Sequence, residues 1–245
     1  DGVAMTTALP LHSPLGIVEA IRAALADPAL GDPERAVAQR AYMKSPMPFR
    51  GISKPELTAI LRPLLRDRTL APTTREEWAD AVRALWDHAT HREEWYAALA
   101  VAGHRAARPW QGPDALPLYR HLVVTGGWWD VVDPVAADLV GPILLSHRKV
   151  VTPLMRADAV DSHLWVRRTA ILAQLKHRDE TDVDLLADVI DVNLEGSLHG
   201  SDFFVRKAEP MVASVDSDVS GLGFHLNIGF LGADVMGEGF AFDVE

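Results

Sequence analysis

The chain has 245 residues, 48% of them hydrophobic and 24% charged, with a formal net charge of −10 and no cysteine. That composition fits one sizeable core or a short array of repeats, and it excludes both a disulfide framework and a thiolate metal site, which favours a reducing, cytoplasmic compartment. No apolar run approaches the roughly 20 residues that span a bilayer, and the N-terminal residues lack the basic-then-apolar order of a secretion signal, so no membrane partner is expected.

Helical periodicity dominates in chain order. Apolar residues recur at helical spacing from Leu15 after Ser13, and Pro33 opens a second helix that runs to about Met43. The following segment, Ser45-Pro46-Met47-Pro48-Phe49, is too rich in proline for helix. Ser53 with Glu56, and Thr74 with Glu77, have capping-box spacing, in which hydroxyl and carboxylate satisfy orphan amides at a helix start. Amphipathic runs follow at 57–65, 78–86, 93–106, 116–124, 128–145, 150–156, 164–177, 183–194 and 202–208, and no strand alternation is seen. About ten helices joined by short turns predict an all-α protein, either a compact bundle or an α-α superhelix of antiparallel HEAT-like pairs.

The pattern breaks at Glu209-Pro210, since proline removes an amide and clashes with the preceding turn. Residues 209–245 hold seven acids and neither Lys nor Arg, so residues 1–208 carry all 24 bases against 27 acids, a net charge of −3. Two regions are therefore expected: a helical-repeat domain over 1–208, and a divergent, acidic, glycine-rich tail over 209–245 that is irregular or poorly ordered. The nearly balanced body leaves room for a basic face, and Arg167, Arg168, Lys176, Arg178, Arg206 and Lys207 cluster late in it.

The segment Trp128-Trp129-Asp130-Val131-Val132-Asp133 carries the chemistry. On a helix Trp129 and Asp133 are i and i+4, so an indole face and a carboxylate share one side. That pairing suits a cation, because the ring quadrupole contributes about 0.5–2 kcal/mol and the carboxylate adds a Coulomb attraction. The competing structural reading has Trp128 in the core, and Asp130 and Asp133 as a solvated first turn favoured by the helix dipole. The ten histidines show no metal-ligand spacing such as HExxH, so no metal is expected.

Several ordered segments together resemble the DNA alkylation repair family, the HEAT-like-repeat alkylpurine DNA glycosylases of the AlkD type. They are Ala41-Tyr42-Met43-Lys44 with Pro48-Phe49-Arg50-Gly51-Ile52, Arg92-Glu93-Glu94-Trp95-Tyr96-Ala97-Ala98-Leu99, the Trp128 to Asp133 motif, Trp165-Val166-Arg167-Arg168-Thr169-Ala170-Ile171-Leu172 with Gln174-Leu175-Lys176, and Phe203-Phe204-Val205-Arg206-Lys207-Ala208. The resemblance implies a monomeric helical solenoid that holds alkylated double-stranded DNA. It also implies hydrolysis of the N-glycosidic bond of cationic N3- and N7-alkylpurines, such as 3-methyladenine and 7-methylguanine, without base flipping and without a cofactor. By the same resemblance Asp133 is the catalytic carboxylate, Trp129 the indole lining the cleft, Arg168 a contact to the DNA backbone near the lesion, and Tyr42 a cleft tyrosine. Lys176, Arg206 and Lys207 are expected phosphate contacts, and Trp128 is assigned to packing.

One position departs from the family pattern. Where the family continues with a helical Ile-Gly-Trp, this chain has Glu209-Pro210-Met211. Methionine offers polarizable bulk without an indole face. This departure keeps two other expectations open, a DNA-structure-binding protein without excision and a protein-binding helical scaffold. An abrupt loss of motif and periodicity together is what a shifted reading frame or a different C-terminal segment produces.

Overall fold

The computed structural model describes residues 16–197, and among these there are helices and turns but no strand. The expected helix at 202–208, the tail from Glu209, and with them Arg206, Lys207 and Met211, lie outside the described residues. The α-helices are α1 (Gly16–Leu25), α2 (Pro33–Tyr42), α3 (Lys54–Arg66), α4 (Arg75–Asp87), α5 (Arg92–Gly103), α6 (Leu116–Gly126), α7 (Trp129–Pro134), α8 (Gly141–Ser146), α9 (Arg148–Asp158), α10 (Leu164–Leu172) and α11 (Val183–Ser197).

Helix starts follow the local chemistry of the sequence. Asp32 caps α2 by accepting the Arg35 amide at 3.0 Å, ahead of Pro33 at the first helical position, where its missing N–H costs nothing. Ser53 and Glu56 form the expected capping box on α3, the Ser53 amide donating to the Glu56 carboxylate at 2.7 Å. On α4 the Thr74 hydroxyl accepts the Glu77 amide at 3.1 Å, while the Glu77 carboxylate reaches the amide and hydroxyl of Thr73, both at 2.7 Å.

Three expected helices are shorter or less regular than their periodicity suggests. The run at 93–106 ends at Gly103, because His104 is extended (ψ 140°) and Arg105–Trp110 tightens into a 3-10 turn containing Pro109. The run at 164–177 ends at Leu172. The run at 128–145 is interrupted by a π-helical stretch, Val135–Val140, in which the Gly141 amide reaches back five residues to the Ala136 carbonyl. Pro134 and Pro142 bracket this stretch, and each removes a donor that regular α-helix would use.

The helices stack as neighbouring layers. α1 packs on α3, α4 and α5; α4 and α5 form the most extensive pair; the α7-to-α8 stretch lies against α5, α6 and α10; and α9 and α11 close on α10. A short connection such as that between α4 and α5 favours antiparallel pairing, and the layered order is that of an α-α superhelix. Large side chains stitch the layers together. Trp78 is buried, donates its indole N–H to the Val101 carbonyl at 3.2 Å and meets Tyr119 edge-on at 6.3 Å. Trp86 and Trp95 stack nearly parallel at 4.5 Å between α4 and α5. Each such residue contributes about 1.5–3 kcal/mol of burial, before the entropy of ordering it.

Candidate active site

The chain enters α7 through a left-handed turn at Gly127 (φ +49°), which ends α6 and which a residue with a Cβ adopts only with strain. Trp128 then takes an extended N-cap conformation, its carbonyl accepting the amides of Val131 and Val132 at 3.3 and 3.0 Å. Its indole is half-buried, lies 6.0 Å from the Trp165 ring and packs against the core.

Trp129 opens α7 and Asp133 follows one turn later on the same side. Trp129 is only partly buried, and its ring meets that of Tyr42, the last residue of α2, at 6.5 Å and 88°. This edge-on arrangement is the favourable one for aromatic quadrupoles. Tyr42 keeps 47% of its surface exposed, so this aromatic pair is open to solvent on one side.

Asp133 forms a two-pronged ion pair with Arg168 of α10. The Arg168 Nε and Nη2 donate to the two carboxylate oxygens at 2.6 and 2.7 Å. Both side chains retain a little under one-fifth of their exposure, 19% for Asp133 and 17% for Arg168. Burial raises the Asp133 pKa above the usual aspartate range; the Arg168 hydrogen bonds and charge offset part of that rise, and the Asp130 charge adds to it. Fork-to-fork geometry makes this pair directional as well as attractive. The arrangement sets two contacts one turn apart on the same side of α7: Tyr42 of α2 against Trp129, and Arg168 of α10 on Asp133. Lys176 stands apart from it, half-exposed, with its ammonium 2.5 Å from Asp138 of the π-helical stretch.

Asp130 departs from the solvated-first-turn reading. It does lie in the first turn of α7, but it is buried, and three donors converge on it. The Arg92 guanidinium donates at 2.5 and 3.1 Å and the Tyr96 hydroxyl at 2.6 Å. The Arg92 guanidinium also lies 4.4 Å above the Trp95 ring. A carboxylate is excluded from water only with such partners, and α5 supplies them across 34 to 38 residues of sequence. Arg92, Glu93 and Tyr96 had no individual role in the sequence reading, although Arg92-Glu93-Glu94 places three charges ahead of Trp95, and that run was the available signal.

Among the described residues no group of three or more His, Cys, Asp or Glu is placed to hold a metal, and no helix is long and apolar enough to cross a membrane. Layered helix pairs, with an acid–arginine pair on the same side of α7 as a partly exposed indole, define a helical-repeat protein. The chain belongs to the DNA alkylation repair enzyme family, whose model matches residues 21–209. Among solved structures it is similar to a predicted DNA alkylation repair enzyme from Enterococcus faecalis, with 26% identity over 71% of this chain and 76% of that one and a TM-score of 0.60. A search of curated proteins found no match. Family membership gives the protein a role in DNA repair.

Proposed function

We propose that the protein is an alkylpurine DNA glycosylase that acts on cationic N3- and N7-alkylpurines in duplex DNA and leaves the base within the helix stack rather than flipping it out. The observation that carries this reading is the Asp133–Arg168 pair on the same face of α7 as Trp129, with Tyr42 against the indole. An N-alkylated purine already bears a positive charge and leaves readily, so the protein need not protonate it. When the bond from C1′ to the base nitrogen breaks, both electrons go to the purine and neutralise it, and the sugar becomes oxocarbenium-like. A carboxylate beside that sugar stabilises the developing charge and orients the attacking water. Water adds to C1′ and loses its proton to Asp133 or to solvent, giving an abasic site and the free alkylated base.

Trp129 and Tyr42 suit this chemistry because aromatic faces attract a cation without hydrogen-bonding to it. In this reading Arg168 holds the Asp133 carboxylate and contacts a backbone phosphate beside it, and Lys176 takes the same role in the turn that follows α10. Methylated duplex DNA, with release of 7-methylguanine or 3-methyladenine measured by chromatography, tests the proposal. Wild type is expected to release base, and Asp133→Asn to slow release by about 100-fold or more while binding changes only a few-fold. Wild-type protein that binds the DNA and releases nothing sinks it.

A second reading is favoured by one sequence observation, Met211 where the family carries an indole. In that reading the protein binds DNA structures without excision. Salt-sensitive binding to branched or damaged DNA without product is its signature, and failure to bind DNA at low salt excludes it.

A further inference from the structure

The first turns of α5 are bonded to both sides of the site. Glu93 is fully buried, and one oxygen of its carboxylate accepts the amides of Arg50 at 2.8 Å, Gly51 at 3.1 Å and Ile52 at 3.3 Å. The Arg92 amide donates to the Pro48 carbonyl at 2.9 Å. Together these four bonds hold the segment that leads out of α2, whose last residue is Tyr42. Gly51 makes the convergence possible: its φ is +80°, and a Cβ there would lie 2.0 Å from the Asp32 carbonyl oxygen.

The same helix turn faces α7. The Arg92 guanidinium and the Tyr96 hydroxyl hold the buried Asp130 carboxylate, which follows Trp129 and precedes Asp133 by one turn. Burying this charge is expensive, and an apolar contact of similar shape would stabilise the packing at least as well. The ionic version adds direction, because a carboxylate accepting a forked guanidinium and a hydroxyl has one orientation.

We propose that Arg92, Glu93 and Tyr96 are positioning residues: the first turns of α5 set the separation between Tyr42 and Trp129 and the aim of the Asp133 carboxylate. Through Glu93 the helix fixes the segment behind Tyr42, and through Arg92 and Tyr96 it fixes the start of α7. The consequence for base release rests on the glycosylase reading; the geometric statement does not.

The test uses the full chain labelled with 5-fluorotryptophan, with the Trp129 resonance assigned by Trp129→Phe and its sensitivity to the neighbouring ring checked by Tyr42→Leu. Tyr96→Phe removes one hydroxyl and Glu93→Gln one charge, so either variant offers a folded protein if the other does not; circular dichroism establishes folding. In folded variants the Trp129 resonance is expected to shift or broaden. Base release from methylated duplex DNA is expected to fall about 10-fold in kcat with KM within about 2-fold, because small displacements of reacting groups act on turnover before binding. A Trp129 resonance at its wild-type position and width in folded Tyr96→Phe and Glu93→Gln overturns the proposal. If wild type releases no base while the resonance moves, the glycosylase reading falls and the positioning role stands. If base is released and the resonance is unmoved, the reverse holds.

Discussion

Asp133 carries its charge against the pull of its surroundings. Burial raises its pKa above the ordinary aspartate range, Arg168 recovers part of the ionised form's stability, and Asp130 works against it. In the proposed reaction only the carboxylate is useful, so base release should rise with pH through an apparent pKa above that of an ordinary aspartate and then level off, a profile measurable by single-turnover assays. The same shift bears on stability. The folded state binds this proton more tightly than the unfolded chain, so the stability linked to it is present below the unfolded value and is lost as pH rises through the folded one. At pH 7, Asp133→Asn removes a buried charge but leaves Arg168 without its forked acceptor, so the two effects oppose each other and the melting temperature is expected to stay within a few degrees of wild type while base release is lost. A fall of many degrees in the melting temperature would contradict that. At this scale the i, i+4 spacing made the Trp129–Asp133 pair legible. The opposite fates of Asp130 and Asp133 were not, because what separates them is the burial of Asp130 under Arg92, 38 residues away.

Elements show where local signals suffice and where they stop. Caps at Ser53 and Thr74 were readable because a cap is a contact within three or four residues. The π-helical stretch was not, since Pro134 and Pro142 announce an irregularity without saying which way the helix resolves it. α7 is only six residues long, too short to hold its orientation by its own hydrogen bonds, so the contact from α5 to Asp130 matters more than its length suggests. Arg92→Met removes the guanidinium and leaves a buried carboxylate with the Tyr96 hydroxyl alone. A loss of about 3–5 kcal/mol in urea unfolding is expected. A loss under about 1 kcal/mol would mean that water reaches Asp130 readily.

The whole molecule must bind a polyanion while carrying a net charge of −10, much of it from residues 209–245. In the free protein Arg168 is committed to Asp133, and Lys176 to Asp138. In the proposed interface DNA competes with these carboxylates for both cations, and binding should weaken linearly in log salt. If both residues meet phosphates, Arg168→Ala and Lys176→Ala should each lower the slope of that plot by about one, as read by fluorescence anisotropy at several salt concentrations. An unchanged slope for either variant removes that residue from the interface. By itself the sequence determined the all-helical class, most helix starts, and the acid and indole on one face of α7. These follow from contacts within a turn or two, where residue order is nearly the same as spatial order. Only the tertiary structure decided that Asp130 is a buried anchor, that Asp133 and Arg168 are locked together in the free protein, and that Lys176 is turned to Asp138. Those outcomes depend on which distant charges share a water-excluded space, and a linear pattern does not encode that.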